Sequence, residues 1–311
     1  MHRPVHSPAV PTEGPVGWRR WLLGARVRTL PAAVVPVLVG TAAATPPGRF
    51  GSIRYDRAAL ALAVAVALQV ATNLANDYAD GRRGVDDPAH RVGPPRLVGS
   101  GLASAEEVRR AMVAAFAVAL VAGGVLVLLV GWELIPVGVA AVAAGWFYTG
   151  GPRPYGYAGW GEVFVFTFFG LVATVGSAYV QVESISWLPV LCGVAVGSFA
   201  TALLVVNNLR DLVGDAAMGK RTLAVRLGDR RTRILYTTLV VVPFVLLPVI
   251  AGTSGRPLAA LGLGAILWCR RPVLTVLSGA TGEALIPALT ATGRAQLAYG
   301  VAVAVGLVIL L

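Results

Sequence analysis

Two cysteines, three histidines and a single lysine in 311 residues leave several chemistries without material. Cys192 and Cys269 lie far apart inside apolar runs and form no Cys-x-x-Cys pattern, so a disulfide framework or thiolate metal site has no basis. His2, His6 and His90 have no metal-ligand spacing. Charged residues make up only 13% of the chain, about half the roughly 25% usual in soluble domains. No segment alternates polar and apolar residues as a membrane barrel strand would. Residues 1–18 lack the apolar core of a cleavable signal peptide.

Apolar sequence, by contrast, is abundant. Hydrophobic residues reach 56% and the mean hydropathy is +0.73. A helix needs about 20 mostly apolar residues to span a bilayer. Nine segments qualify, at roughly 29–45, 58–79, 107–130, 134–150, 162–181, 187–208, 234–251, 257–277 and 295–311. The expected fold is therefore an all-α membrane protein, a bundle of about nine transmembrane helices. It forms one domain over residues 19–311 behind a Pro-rich, disordered tail at 1–18. Pro31 and Pro36 in the first segment, and Arg270, Arg271 and Pro272 in the eighth, mark where a span is most open to interruption.

Basic residues set the orientation. With the N-terminus in the cytoplasm, the outer connections hold only Arg49, Arg54, Arg57 and Arg256, while Lys220 and nearly all other arginines fall inside. That asymmetry is what the positive-inside rule describes. The net charge of +11 is then accounted for by topology, anionic membrane lipid and an anionic substrate, and no nucleic acid is needed.

The remaining charge is concentrated in two places. The second span ends Asn73-Leu74-Ala75-Asn76-Asp77-Tyr78-Ala79-Asp80-Gly81-Arg82-Arg83, and the sixth ends Asn207-Asn208-Leu209-Arg210-Asp211-Leu212-Val213-Gly214-Asp215, reaching Gly219-Lys220-Arg221. In each, an Asn stands four residues before an Asp and a further Asp follows within a turn. Of eight aspartates, only Asp56 and Asp229 lie outside these segments and the adjoining Asp86-Asp87. Asn73, Asn76, Asp77 and Asp80 share one helical face, and Asn207, Asp211 and Asp215 share another. Oxygen donors without His or Cys suit Mg²⁺, which keeps waters and is held by a few carboxylates plus substrate phosphates. Two such faces opposed across a cavity make a site for a Mg²⁺-bound diphosphate. Basic groups just beyond, Arg82, Arg83, Lys220 and Arg221, are placed for phosphate oxygens. Two other readings stay open: solvated interfacial acids, and a transporter whose acids carry a cation. The two segments repeat in parallel, on the same side, which favours one site over an alternating-access path.

These segments resemble the Asp-rich motifs of the UbiA superfamily of intramembrane aromatic prenyltransferases. Further blocks are similar to those of its naphthoate-prenylating branch: Arg28-Thr29-Leu30-Pro31, Gly84-Val85-Asp86-Asp87, Arg96-Leu97-Val98-Gly99-Ser100-Gly101, Trp146-Phe147-Tyr148-Thr149-Gly150-Gly151-Pro152, Pro154-Tyr155-Gly156-Tyr157-Ala158-Gly159-Trp160-Gly161-Glu162, and 219–228. The resemblance extends over residues 26–230. It implies a UbiA-type bundle in the bacterial cytoplasmic membrane, its cavity facing the cytoplasm. The implied reaction is Mg²⁺-dependent transfer of a prenyl group from polyprenyl diphosphate to 1,4-dihydroxy-2-naphthoate, with 4-hydroxybenzoate among the alternative acceptors.

On that resemblance Asn73, Asp77, Asp211 and Asp215, with Asn76 and Asp80, are the expected metal and catalytic residues, and Asn207 joins the substrate site. Asp86 and Asp87 hold the loop or a second ion. Lys220 and Arg82 meet the diphosphate, and Arg28 meets the acceptor carboxylate or a phosphate. Tyr148 either stabilises an allylic cation with its ring face or is an interfacial belt residue. Glu162 orients the acceptor or acts as base. Loops 80–104 and 210–230, long for helix connections, are expected to close over the loaded site.

Overall fold

The computed structural model describes residues 17–84 and 92–310; the tail at 1–16 and the pair Asp86-Asp87 lie outside the described residues. Among the described residues the chain is helical with no strand. In chain order the helices are α1 Arg19–Ala25, α2 Pro31–Ala44, α3 Tyr55–Arg82, α4 Ala105–Leu129 and α5 Leu134–Phe147. There follow α6 Gly161–Val182, α7 Trp187–Arg210, α8 Leu212–Ala217, α9 Leu223–Ser254, α10 Pro257–Leu277 and α11 Gly282–Val308.

Each of the nine apolar segments folds as helix, but two of them do not form simple spans. Seven described helices are long and apolar enough to cross a membrane, or eight if the bent pair at the N-terminus is one span. The chain from Arg19 to Thr29 meets α2 at 54°. The bend follows from Arg26, which takes a left-handed conformation at φ 50°, and from Pro31, which fits the first helical turn. Helix α5 has 14 residues, about 21 Å at 1.5 Å per residue, and falls short of a 30 Å hydrocarbon core. Helix α10 runs on through Pro272 to Leu277.

The bundle has a solid half and a hollow half. In α7, 78% of the apolar window is buried, against 22% in α4, so α7 is the central post and α4 a peripheral wall. On one side α7 packs with α2, α9, α10 and α11 in a continuous core. Its centre is the triad Phe199, Phe244 and Tyr299, with ring centroids 5.2–5.9 Å apart. Tyr236 and Thr292 share a hydrogen bond, and the Tyr299 hydroxyl donates to the Pro243 carbonyl, so the buried phenols are satisfied. On the other side α3, α4, α5, α6 and α7 enclose a cavity.

Length places the polar helix ends. From Tyr55 to Asn73 is 18 residues, about 27 Å of helix, so the Asn- and Asp-rich turns of α3 begin where a bilayer's thickness is used up. Near the opposite end of α3 the buried Arg57 donates to the carbonyls of Val180 and Leu129 and to Glu183, clamping α3, α4 and α6 together.

Small residues allow the α6–α7 crossing. Residues Phe166–Val172 of α6 widen into a π-helical turn, and here Gly170 lies against Gly193 and Gly197. A Cβ on Gly170 would sit 2.5 Å from the Gly197 Cα, whereas one on Gly176, further along α6, meets nothing within 4 Å. This is the small-residue contact by which membrane helices approach closely. Gly170→Ala is expected to destabilise the bundle by roughly 1–3 kcal/mol through overpacking, seen as a lower melting temperature in detergent. Gly176→Ala serves as the neutral control, and equal melting of the two variants would contradict this packing.

Candidate active site

The hollow half holds a cavity of about 1190 Å³, polar where α3 and α7 end and apolar along α4, α5 and α6. Asn73, Asn76 and Asp80 line it from α3, and Asn207, Asn208, Asp211 and Asp215 from the end of α7 and from α8. The two Asp-rich segments therefore face one space.

Asp80 is 3% exposed and doubly held. The Tyr157 hydroxyl donates to its Oδ1, and Lys220 Nζ approaches its Oδ2 at 3.3 Å. Burial first, and then the Asp80 carboxylate, hold the Tyr157 phenol above its ordinary range, so Tyr157 remains a donor. Asp215 is also buried. Its carboxyl is pushed up to about 7, by burial first; Lys220 and Arg210 oppose the shift while Asp211 and Asp80 add repulsion. Asp211 forms a two-pronged pair with Arg210, at 2.6 and 2.8 Å. Asn76 Oδ1 accepts the Thr149 hydroxyl at 2.7 Å, and Asn73 donates to the Ala25 carbonyl at 3.0 Å.

A ladder of rings leads from this polar end into the apolar part. Tyr148 meets Tyr155 edge-on at 5.5 Å; Tyr155 stacks on Phe164 at 3.9 Å, and Phe164 lies 6.1 Å from Phe168. Beside it, Asn208 donates to Glu162 Oε1 at 2.9 Å, while Glu162 Oε2 is buried without a partner among the described residues.

Three expected site residues lie elsewhere. Asp77 turns away from the cavity: its two oxygens accept the backbone N–H groups of Leu97 and Val98, each at 2.9 Å. At about 100° per residue, Asn76 and Asp77 flank the line through Asn73 and Asp80 on opposite sides, and the cavity takes the Asn76 flank. Arg82 is exposed and donates to the Tyr78 hydroxyl. Its neighbour Arg83 donates to the carbonyls of Thr149 and Gly151 and lies 5.4 Å from the Tyr157 ring. Arg83 is three residues after Asp80, the helical spacing that shares a face, and this was the available signal. Arg28 lines a separate pocket of about 540 Å³ with Arg294, because the bend at Arg26 carries it out of the bundle. Arg26 takes a place on the main cavity.

The donor set fits Mg²⁺. It is made of carboxylate and carboxamide oxygens, and the raised Asp215 carboxyl marks a place where added positive charge is favourable. Among the described residues no three Asp, Glu, His or Cys side chains are grouped to hold an ion by themselves. That suits an ion completed by substrate phosphates and water.

Comparison with known proteins places this geometry in context. The profile of the UbiA prenyltransferase family matches residues 33–282. A 1,4-dihydroxy-2-naphthoate octaprenyltransferase of Mycobacterium tuberculosis is 48% identical over 285 residues, covering 92% of this chain and 95% of that protein. Among solved structures, a UbiA homolog from Aeropyrum pernix K1 superposes with a TM-score of 0.62 at 16% identity, over 89% of this chain and 96% of that one. A UbiA homolog from Archaeoglobus fulgidus bound to DMAPP and Mg²⁺ gives 0.59 at 16% identity, over 92% and 99%. At such identities the structures establish the shared fold.

The two acids of α3 should separate experimentally. Asp77→Ala strands two backbone donors, costing about 1–3 kcal/mol, and is expected to lower the melting temperature and expose segment 92–103 to protease. Asp80→Asn breaks a buried pair with Lys220 and also costs stability, but it should leave segment 92–103 protected, and equal cleavage of that segment in the two variants would contradict the assignment.

Proposed function

The chain belongs to the UbiA prenyltransferase family, and on that premise we propose that it transfers a polyprenyl group from polyprenyl diphosphate to 1,4-dihydroxy-2-naphthoate, releasing diphosphate and CO₂ and yielding demethylmenaquinol. The observation that carries this reading is a single cavity joining acids and a lysine to an apolar, aromatic trough. It occurs in a chain whose likeness to a naphthoate prenyltransferase extends over nearly its whole length. Residues 19–311 act as one transmembrane domain.

Asp80 and Asp215, with Asn76, Asn73, Asn207 and Asp211 around them, would hold Mg²⁺. When bound, Mg²⁺ neutralises the charge that builds on the departing diphosphate. Lys220 adds a positive charge at the same oxygens, in a site where burial makes such charges count for more than in water. Arg83 stands behind Lys220 on the other contact of the Tyr157 ring. The prenyl chain lies in the trough, with its allylic carbon against the ring ladder; Tyr148 presents a π face to positive charge developing there. The bond from that carbon to the diphosphate oxygen breaks as the ring carbon bearing the carboxylate bonds to it. CO₂ then leaves that ring carbon and returns an electron pair to the aromatic system. Glu162, fixed by Asn208 and with one oxygen unpaired among the described residues, positions a hydroxyl of the acceptor, or takes its proton as the ring carbon attacks and returns it as CO₂ leaves. Segments 92–103 and 211–222 cover the polar end and exclude water, which protects the allylic centre from hydrolysis. Asp77 acts indirectly, by holding the first of these segments.

The site faces the cytoplasm of a bacterial cytoplasmic membrane, a reading supported by the arginine distribution. One experiment tests acceptor and sidedness together. Vesicles of known orientation receive polyprenyl diphosphate, Mg²⁺ and equal amounts of 1,4-dihydroxy-2-naphthoate and 4-hydroxybenzoate, and products are identified by mass spectrometry. The expected product is prenylated, decarboxylated naphthoquinol, formed in inside-out vesicles. Exclusive prenylation of 4-hydroxybenzoate would overturn the acceptor, and equal product in right-side-out vesicles would overturn the orientation.

A further inference from the structure

Asp80 on α3 and Lys220 beyond α8 are 140 residues apart in the chain, yet their side chains meet at one ring. Tyr157 belongs to a third segment, the 3₁₀ turn Tyr155–Ala158. Its hydroxyl donates to Asp80 Oδ1, and its ring face lies 4.5 Å from Lys220 Nζ. The same ring faces the Arg83 guanidinium at 5.4 Å. Its backbone carbonyl accepts the Arg221 N–H at 2.9 Å, so the turn is tied to the lysine loop independently of the side chain.

We propose that Tyr157 is a positioning residue for the diphosphate site, with two separable parts: its hydroxyl aims Asp80, and its ring parks Lys220 beside Asp80 until phosphate oxygens take the ammonium over. This rests on the reading of the cavity as a Mg²⁺-diphosphate site and adds a residue to it.

The physical case is one of preorganisation. A carboxylate on a rotatable side chain and an ammonium on a four-carbon stem each lose rotamer freedom when they must meet a ligand. Tyr157 restrains both in advance. A hydrogen bond to the carboxylate fixes its rotation and leaves Oδ2 toward Lys220. A cation–π contact holds the ammonium without engaging its N–H groups in strong hydrogen bonds. Lys220 can thus turn from the ring to an arriving phosphate and lose little. Arg83 remains on the same ring as a second cation when Lys220 moves.

The two parts are tested by Tyr157→Phe, which keeps the ring, and Tyr157→Leu, which removes both. The probe is inorganic pyrophosphate with Mg²⁺, titrated calorimetrically into the full chain in detergent, so the readout is independent of turnover. The expected loss of affinity is about tenfold for Tyr157→Phe, from one hydrogen bond to a charged group. For Tyr157→Leu a further fivefold or so comes from the cation–π contact. In turnover, KM for polyprenyl diphosphate rises in the same order while KM for the aromatic acceptor stays put. Equal melting temperatures establish that both variants are folded. Wild-type affinity in either variant, or equal losses in both, overturns the role of Tyr157. Failure of the wild-type protein to bind Mg²⁺-pyrophosphate is a distinct result, which overturns the site reading itself.

Discussion

A carboxylate buried at the end of an apolar helix is stable only beside positive charge, and the polar end of the cavity is arranged around that requirement. Asp80 has the chain's one lysine at 3.3 Å, Asp211 has Arg210, and Asp215 has no ion pair among the described residues, with its carboxyl pushed up to about 7. Burial is the main cause of that shift, so a cation placed beside Asp215 is favourable. An arriving substrate that brings both divalent cation and phosphate oxygens meets that need from two directions, since Lys220 can follow the phosphate while the acids keep the metal.

The same requirement explains why the bundle is divided. Helix α7 must be rigid to present Asn207 to Asp211 at a fixed depth, and it is packed on one side by the aromatic triad around Phe199. Its other side borders the cavity, where α4 and α5 form thin walls of Ala, Val, Leu and Gly. A long prenyl chain needs apolar volume without directional contacts, and these walls supply it. The rings from Tyr148 to Phe168 connect the two environments, and the π-helical turn at Phe166–Val172 brings Phe168 and Phe169 onto the cavity. π-helical turns of this kind often occur at functional positions.

Much of this was legible in the sequence, for physical reasons. Spans emerge because twenty apolar residues have few other stable settings, and the Asp-rich ends stand out because charge is rare elsewhere. Helical phase placed Asn73, Asn76 and Asp80 on one face. It could not tell which flank of that face borders the cavity, because the choice depends on segment 92–103 folding back to present two N–H groups to Asp77. Arg82 and Arg83 are adjacent; helical spacing from Asp80 favours Arg83, and the position of the Thr149 and Gly151 carbonyls settles it. Arg28 left the site because one left-handed residue, Arg26, redirects the chain. Tyr157 lay in a block already singled out, but its turn follows one glycine at positive φ, Gly151, and ends on another, Gly159, and such a path has no periodicity to read.

The central claim is that the buried acids of α3 and α8 support departure of the diphosphate through a divalent cation. Its most direct measurement is product formation from polyprenyl diphosphate and 1,4-dihydroxy-2-naphthoate by wild type, Asp80→Asn and Asp215→Asn, with Mg²⁺ and with EDTA. The account predicts loss of at least about a hundredfold in each variant, the scale of a lost electrostatic contact in an active site, and no product from the wild type in EDTA. Undiminished product in EDTA, or in both variants with Mg²⁺, would contradict it.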